Sequence, residues 1–155
     1  MRRKGSCLCR ALTYELEGDF EGVWVCHCSN CRKATGGMGN TILIVPRARF
    51  HWLTGEDYRV TYALRPTYSV TRCKTCGTPL PAEEDEQNVY LTAGTLDDPL
   101  DAGIKAHIFY GSRADWERDT DGAGYFVERS TGPECAAMSH RGLQGYVDPL
   151  GVRKT

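Results

Sequence analysis

The sequence predicts a mainly β fold pinned by cysteine clusters, and three observations carry that expectation. Short segments alternate apolar and polar residues with period two, as half-buried strands do. Helix signals are thin: the clearest is Ser112-Arg113-Ala114-Asp115-Trp116-Glu117, whose S-x-x-D resembles a capping box for one or two turns. Seven of the eight cysteines fall in tight groups, C-x-C, C-x-C-x2-C and C-x2-C. Antiparallel sheets with one or two short helices, braced by metal ligands, would satisfy all three.

Taken in order, Leu12, Tyr14 and Leu16 alternate with polar neighbours and predict a strand. Cys7-Leu8-Cys9 just before it is expected to be extended, where residues i and i+2 share a face. Both thiols then reach one metal while Leu8 points away. Residues 41–45, Thr-Ile-Leu-Ile-Val ahead of Pro46, read as a buried strand. Tyr58, Val60, Tyr62 and Leu64 fall on one strand face, and residues 67–72 resume the alternation after Arg65-Pro66, giving a hairpin that delivers Cys73. Residues 88–93 and 105–110 predict two more strands on either side of Asp97-Asp98-Pro99. From Asp119 onward no period is sustained. The domain is therefore drawn as residues 1–118, with 119–155 a loop-rich tail of the same domain. Cys135 and His140 lie in that tail and are read as unligated.

Cys26-His27-Cys28-Ser29-Asn30-Cys31 places three thiols on one tight loop. Soft sulfur ligands at this spacing suit zinc. A closed tetrahedral site takes four donors, so either a distant residue completes the set or the fourth position stays open for a substrate. Cys73-Lys74-Thr75-Cys76-Gly77 reads as a zinc knuckle, and with Cys7 and Cys9 it makes an all-cysteine quartet, a closed structural set. Arg2, Arg3, Lys4, Arg10, Arg72 and Lys74 crowd the two halves of that quartet in sequence, although most are read as ordinary surface charges. His27 alternates with its cysteine neighbours and should point away from the metal, into packing or a supporting hydrogen bond. Ser29 and Asn30 are assigned to the turn, and Gly36-Gly37-x-Gly39 is read as letting the backbone approach a ligand. His51, Trp52, Tyr62 and Trp116 are taken as core or rim aromatics.

The 155 residues are 41% hydrophobic and 25% charged, the balance of one water-exposed globular domain. A formal net charge of −1 argues against a nucleic-acid or membrane surface driven by bulk charge. Met1-Arg2-Arg3-Lys4 is basic, but no apolar leader follows it, and no stretch approaches membrane-spanning length. The expected location is the cytoplasm, where clustered cysteines are metal ligands or catalytic thiols rather than disulfides.

Gly5-Ser6-Cys7-Leu8-Cys9, Cys26-His27-Cys28-Ser29-Asn30-Cys31-Arg32-Lys33 and Cys73-x2-Cys76-Gly77-Thr78-Pro79-Leu80 together resemble the glutathione-dependent formaldehyde-activating enzyme family, which includes centromere protein V. Leu91-Thr92-Ala93-Gly94-Thr95-Leu96-Asp97 and His107-Ile108-Phe109-x-Gly111-Ser112-x2-Asp115-Trp116 resemble its later blocks. The resemblance implies a β-tent fold related to zinc ribbons and two zinc ions per chain. Cys7, Cys9, Cys73 and Cys76 would match the structural site, and Cys26, Cys28 and Cys31 the catalytic one. It also implies a carbon–sulfur lyase resembling S-(hydroxymethyl)glutathione synthase, joining or releasing a glutathione-like thiol and formaldehyde or another small carbonyl. Nucleic acid and membrane are not expected partners. Two departures stand out: Arg10 occupies a position usually held by Gly, and the stretch from Asp119 lacks the usual short ending. The chemistry of three thiolates agrees with this reading. They leave zinc with net negative charge, a weak acidifier of water but a good trap for a substrate thiol in its nucleophilic form. Arg32 and Lys33 are each read as surface charges, with steering of that thiol's carboxylates as the functional alternative. The alternative is a non-enzymatic, zinc-stabilised protein-binding module of the same fold.

Overall fold

Arg2–Ser6 (β1), Thr13–Glu17 (β2) and Phe50–Thr54 (β5) form a sheet in the order β1-β2-β5, and its burial obeys the period of the sequence. Tyr14 and Leu16 are fully covered while Thr13, Glu15 and Glu17 are partly exposed. The fold is taken from a computed structural model that describes residues 1–65 (Arg65 by its backbone only), 68–83 and 85–117. Cys135, His140 and the loop-rich tail expected over 119–155 lie outside the described residues. Two compact units emerge: Met1–Val23 with Thr41–Gly103, and Trp24–Asn40 with the chain from Ile104.

In the first unit, β1 pairs antiparallel with β2 and β2 with β5, placing Tyr14 opposite Gly5 on one side and Trp52 on the other. Tyr14 stacks on Phe50 at 5.6 Å between ring centroids and meets Trp52 edge-on at 6.0 Å. Its hydroxyl shares a hydrogen bond with Thr95 Oγ1 at 2.8 Å, so the ring is buried without orphaning its polar end. Asn40–Pro46 (β4) pairs antiparallel with Asn88–Thr92 (β8), Leu43 against Leu91 and Val45 against Val89. These side chains join Leu12, Leu16, Leu80 and Phe50 in one core. Each such burial contributes about 1.5–3 kcal/mol. Arg59–Arg65 (β6) and Tyr68–Cys73 (β7) make the expected antiparallel hairpin that ends on Cys73.

Several expectations are corrected. Residues 41–45 are not buried on both faces: Leu43 and Val45 are covered, but Ile44 is 39% exposed, because an antiparallel pair covers one face and leaves the other to solvent. His51, Tyr62 and Trp116 are not core residues: all three are exposed, whereas Trp52 packs against the core. Cys7-Leu8-Cys9 is a turn, not an extended strand end, although Leu8 does point to solvent. The strand β1, read from sequence as a basic surface run, is held by pairing. Its Arg3 is buried, donating to the carbonyls of Gly18 at 2.5 Å and Pro99 at 3.1 Å.

In the second unit, Val23–Cys26 (β3) neighbours Ile104–Ile108 (β9), and Ser29–Thr35 (α1) is the one α-helix among the described residues. The helix expected over 112–117 is instead a 3-10 turn at Tyr110–Ser112 followed by irregular chain.

Candidate metal centres

The four-cysteine set is built by two turns facing each other within the first unit. After β1 the chain reverses, with the Arg10 N–H donating to the Cys7 carbonyl at 2.8 Å and the Cys7 N–H to the Leu12 carbonyl at 3.1 Å. After β7 the knuckle closes in the same manner: Gly77 N–H donates to the Cys73 carbonyl at 2.9 Å, with Gly77 at φ 74, a conformation that glycine adopts without penalty. Thr78 joins the two turns. Its hydroxyl accepts from the Leu8 N–H at 3.0 Å and lies 3.1 Å from Cys76 Sγ. The Cys7 and Cys9 sulfurs are 3.5 Å apart, and those of Cys9 and Cys73 are 3.8 Å apart. Sulfurs around a tetrahedral zinc with bonds of about 2.3 Å are separated by about 3.8 Å, so these donors fit that ion. The Cys76 thiol is pulled down to about 5, first by the Thr78 hydroxyl and then by the Thr78 and Cys9 N–H groups, which favours the ligating thiolate. Arg72 donates to the Gly77 carbonyl at 2.8 Å, whereas Arg2 is engaged by Glu15 and Glu17, and Lys74 by the Asp57 carbonyl.

The three-cysteine set belongs wholly to the second unit. Cys26 ends β3, Cys28 is the N-cap of α1, and Cys31 lies in its first turn. Cys28 takes the place usually held by Ser, Thr, Asp or Asn: its sulfur accepts the Cys31 N–H at 3.4 Å. At the far end Gly36, at φ 73, returns its N–H to the Arg32 carbonyl and stops the helix. The chain then folds back on Cys26. A Cβ on Gly39 would collide with the Cys26 carbonyl, and the Thr35 hydroxyl sits within 2.8 Å of the Gly39 carbonyl and 3.0 Å of the Cys31 carbonyl. Gly39, in the segment expected to let backbone approach a ligand, instead lets backbone approach backbone. All three sulfurs lie within 4.8 Å of one another, and among the described residues no histidine or carboxylate joins them as a fourth donor. The Cys28 thiol is drawn down to about 2, first by its hydrogen bond from Cys26, then by that from Cys31 and by the N–H groups of Cys31 and Asn30. Cys26 is pushed up to about 11, chiefly by its hydrogen bond to Cys28. Cys31 is pushed up as well, by its hydrogen bonds to Cys26 and then Cys28.

The seven clustered cysteines are all free of disulfides, and each lies in the set its spacing suggested. Either set can hold a metal ion. His27 stands apart from the sulfurs: its buried ring reaches His107 Nδ1 through Nε2 at 2.7 Å and Glu117 Oε1 through Nδ1 at 2.6 Å. Sequence reasoning gave His107 and Glu117 no functional role, since neither has metal-ligand spacing. The short helix was also missed, although Gly36 directly after a run containing Arg32 and Lys33 is a helix-end signal.

The profile of the family described as glutathione-dependent formaldehyde-activating enzyme matches residues 2–112. A crystal structure of a Rhodobacter sphaeroides protein is similar in fold, with a TM-score of 0.52 over 65% of this chain and 98% of that one, at 21% identity. No curated protein sequence matches the chain. Among the described residues, no helix is long and apolar enough to cross a membrane.

Proposed function

The chain belongs to the glutathione-dependent formaldehyde-activating enzyme family, and from that premise we propose that it is a zinc-dependent carbon–sulfur lyase. Its reaction would join a glutathione-like thiol to formaldehyde or another small carbonyl, or release one from the other. The observation that carries this reading is the inequality of the two cysteine sets, one with four sulfurs and one with three. Cys7, Cys9, Cys73 and Cys76 would hold a structural zinc ion, and Cys26, Cys28 and Cys31 a catalytic one. A zinc ion with three protein sulfurs would supply a coordination position that favours the thiolate of an incoming thiol.

The chain's own residues prepare that position. The Cys28 sulfur accepts the Cys31 N–H at 3.4 Å and its thiol is drawn down, which favours the ligating form. Arg32 follows Cys31 directly, and its Nε is buried with no hydrogen-bond partner among the described residues. A substrate carboxylate would satisfy it. Lys33 beside it is exposed and available for longer-range attraction. In the forward direction the thiol sulfur forms a bond to the carbonyl carbon, the C=O electron pair moves to oxygen, and the thiol proton ends on that oxygen. No oxidant or reductant is required.

The test is cobalt substitution followed by glutathione. A shift in the cobalt absorption on adding glutathione supports the reading. No shift, with both ions bound, favours a protein-binding module instead. Cys28→Ala should abolish turnover of S-(hydroxymethyl)glutathione while the four-cysteine ion and the folded state persist.

A further inference from the structure

We propose that Glu117 and His107 are positioning residues of the three-cysteine centre, acting through His27. This rests on the metal-site part of the function proposed above and not on the identity of the substrates. His27 is the single residue between Cys26, which ends β3, and Cys28, which caps α1. It is held at three points. Its N–H donates to the Ile108 carbonyl at 2.9 Å, Nε2 lies 2.7 Å from His107 Nδ1, and Nδ1 lies 2.6 Å from Glu117 Oε1.

Burial makes these contacts consequential. His27 is 0% exposed, His107 5% and Glu117 6%. A carboxylate taken out of water costs several kcal/mol unless it is paired, so a Glu here needs a partner, and the His27 ring provides one. Tyr110 closes the assembly, meeting the His27 ring edge-on at 5.1 Å. The backbone that brings Tyr110 back is unusual. Phe109 has φ 54, a left-handed conformation that costs a bulky residue about 1–2 kcal/mol. Such a conformation persists where surrounding contacts enforce it, and these lie directly after the Ile108 carbonyl that receives His27.

Positioning follows from geometry. A metal site tolerates ligand displacement of only about 0.5 Å, and Cys26 and Cys28 are the immediate neighbours of the anchored residue. Freeing the His27 ring would let both sulfurs drift without removing any ligand. The four-cysteine set, in the other compact unit, supplies an internal control.

The experiment is zinc titration of the full-length chain against a chromophoric chelator, without glutathione or aldehyde, for the parent, Glu117→Ala and Glu117→Gln. Supporting contacts of ligand-bearing residues are typically worth about 10–100-fold in metal affinity. Glu117→Ala should weaken the second ion by that factor and leave the first unchanged. Glu117→Gln, which keeps a side-chain oxygen of the same reach against the His27 ring, should recover most of the loss. Equal affinity for the second ion in Glu117→Ala and parent overturns the proposal, as does a Gln variant no better than Ala. Should Glu117→Ala fail to fold, His107→Leu is read in the same way: selective weakening supports the proposal, and unchanged affinity overturns it. If glutathione leaves the cobalt spectrum unmoved yet the second ion still tracks Glu117, the reaction falls and the positioning stands. If glutathione shifts the spectrum while the second ion ignores Glu117, the positioning falls and the reaction stands.

Discussion

Arg10 holds φ 58 in the turn between Cys7 and β2, a conformation that favours glycine, and it stands where the family resemblance expects glycine. This region costs an L residue about 1–2 kcal/mol, while glycine loses about 0.5–1 kcal/mol more chain entropy on folding. Arg10→Gly should therefore stabilise the zinc-loaded protein slightly, by up to about 1 kcal/mol. A urea midpoint that moves downward instead would contradict the strain reading. At the same scale, Cys28 shows how one residue serves two purposes. As helix cap its sulfur takes an N–H, and as a member of the three-cysteine set it offers a soft donor to a metal ion. Serine at this position would keep the cap and lose the soft donor.

At the scale of elements, the loop before β8 has its own electrostatic lock. Asp85 accepts from the N–H groups of Gln87 at 2.8 Å and Asn88 at 2.6 Å and from the Tyr90 hydroxyl at 2.7 Å. The Tyr90 hydroxyl first, and the two N–H groups after it, hold the Asp85 carboxyl below its ordinary range. A depressed carboxyl stabilises the fold above the unfolded-state value of about 3.9, and that contribution is lost as pH falls through the lower folded value. With solvent screening taken into account, Asp85→Ala should lower stability by about 1 kcal/mol near neutral pH, and the gap in Tm should shrink in acid. A gap that stays constant between about pH 7 and pH 3 would contradict this assignment. β2 and β8 were legible in the sequence because their apolar period sets the covered face. β6 and β7 were legible as strands but not in their faces: Val60, Tyr62 and Leu64 are exposed, and Thr71 and Cys73 are the covered residues of β7. β1 was not, because Arg2-Arg3-Lys4 carries no apolar period and its inward face is an arginine satisfied by distant carbonyls. α1 was hidden for a different reason: at seven residues it is too short to show a helical period. The cysteine sets were legible because ligand spacing is a local property. The Glu117–His27–His107 contacts join residues 80 positions apart across the ring pair, and no spacing announces them.

For the molecule as a whole, the two cysteine sets should differ in consequence as well as in composition. Structural zinc contributes about 10–16 kcal/mol in small peptides, against a net domain stability of about 5–15 kcal/mol. Cys76→Ala should therefore unfold the chain, and an intact cooperative thermal transition in that variant would refute a structural role for the quartet. A chelator should remove one ion well before the other. Loss of the first should leave far-UV circular dichroism unchanged, and simultaneous loss of both would contradict the division into four and three. The quartet also has a history in time. Cys9 and Cys73 are separated by 64 positions, so at about 5–20 residues per second the early pair waits roughly 3–13 seconds on the ribosome for its counterpart. Cys26, Cys28 and Cys31 emerge almost together. Their unit also contains the chain from Ile104, so neither set is completed until long after its first thiols emerge.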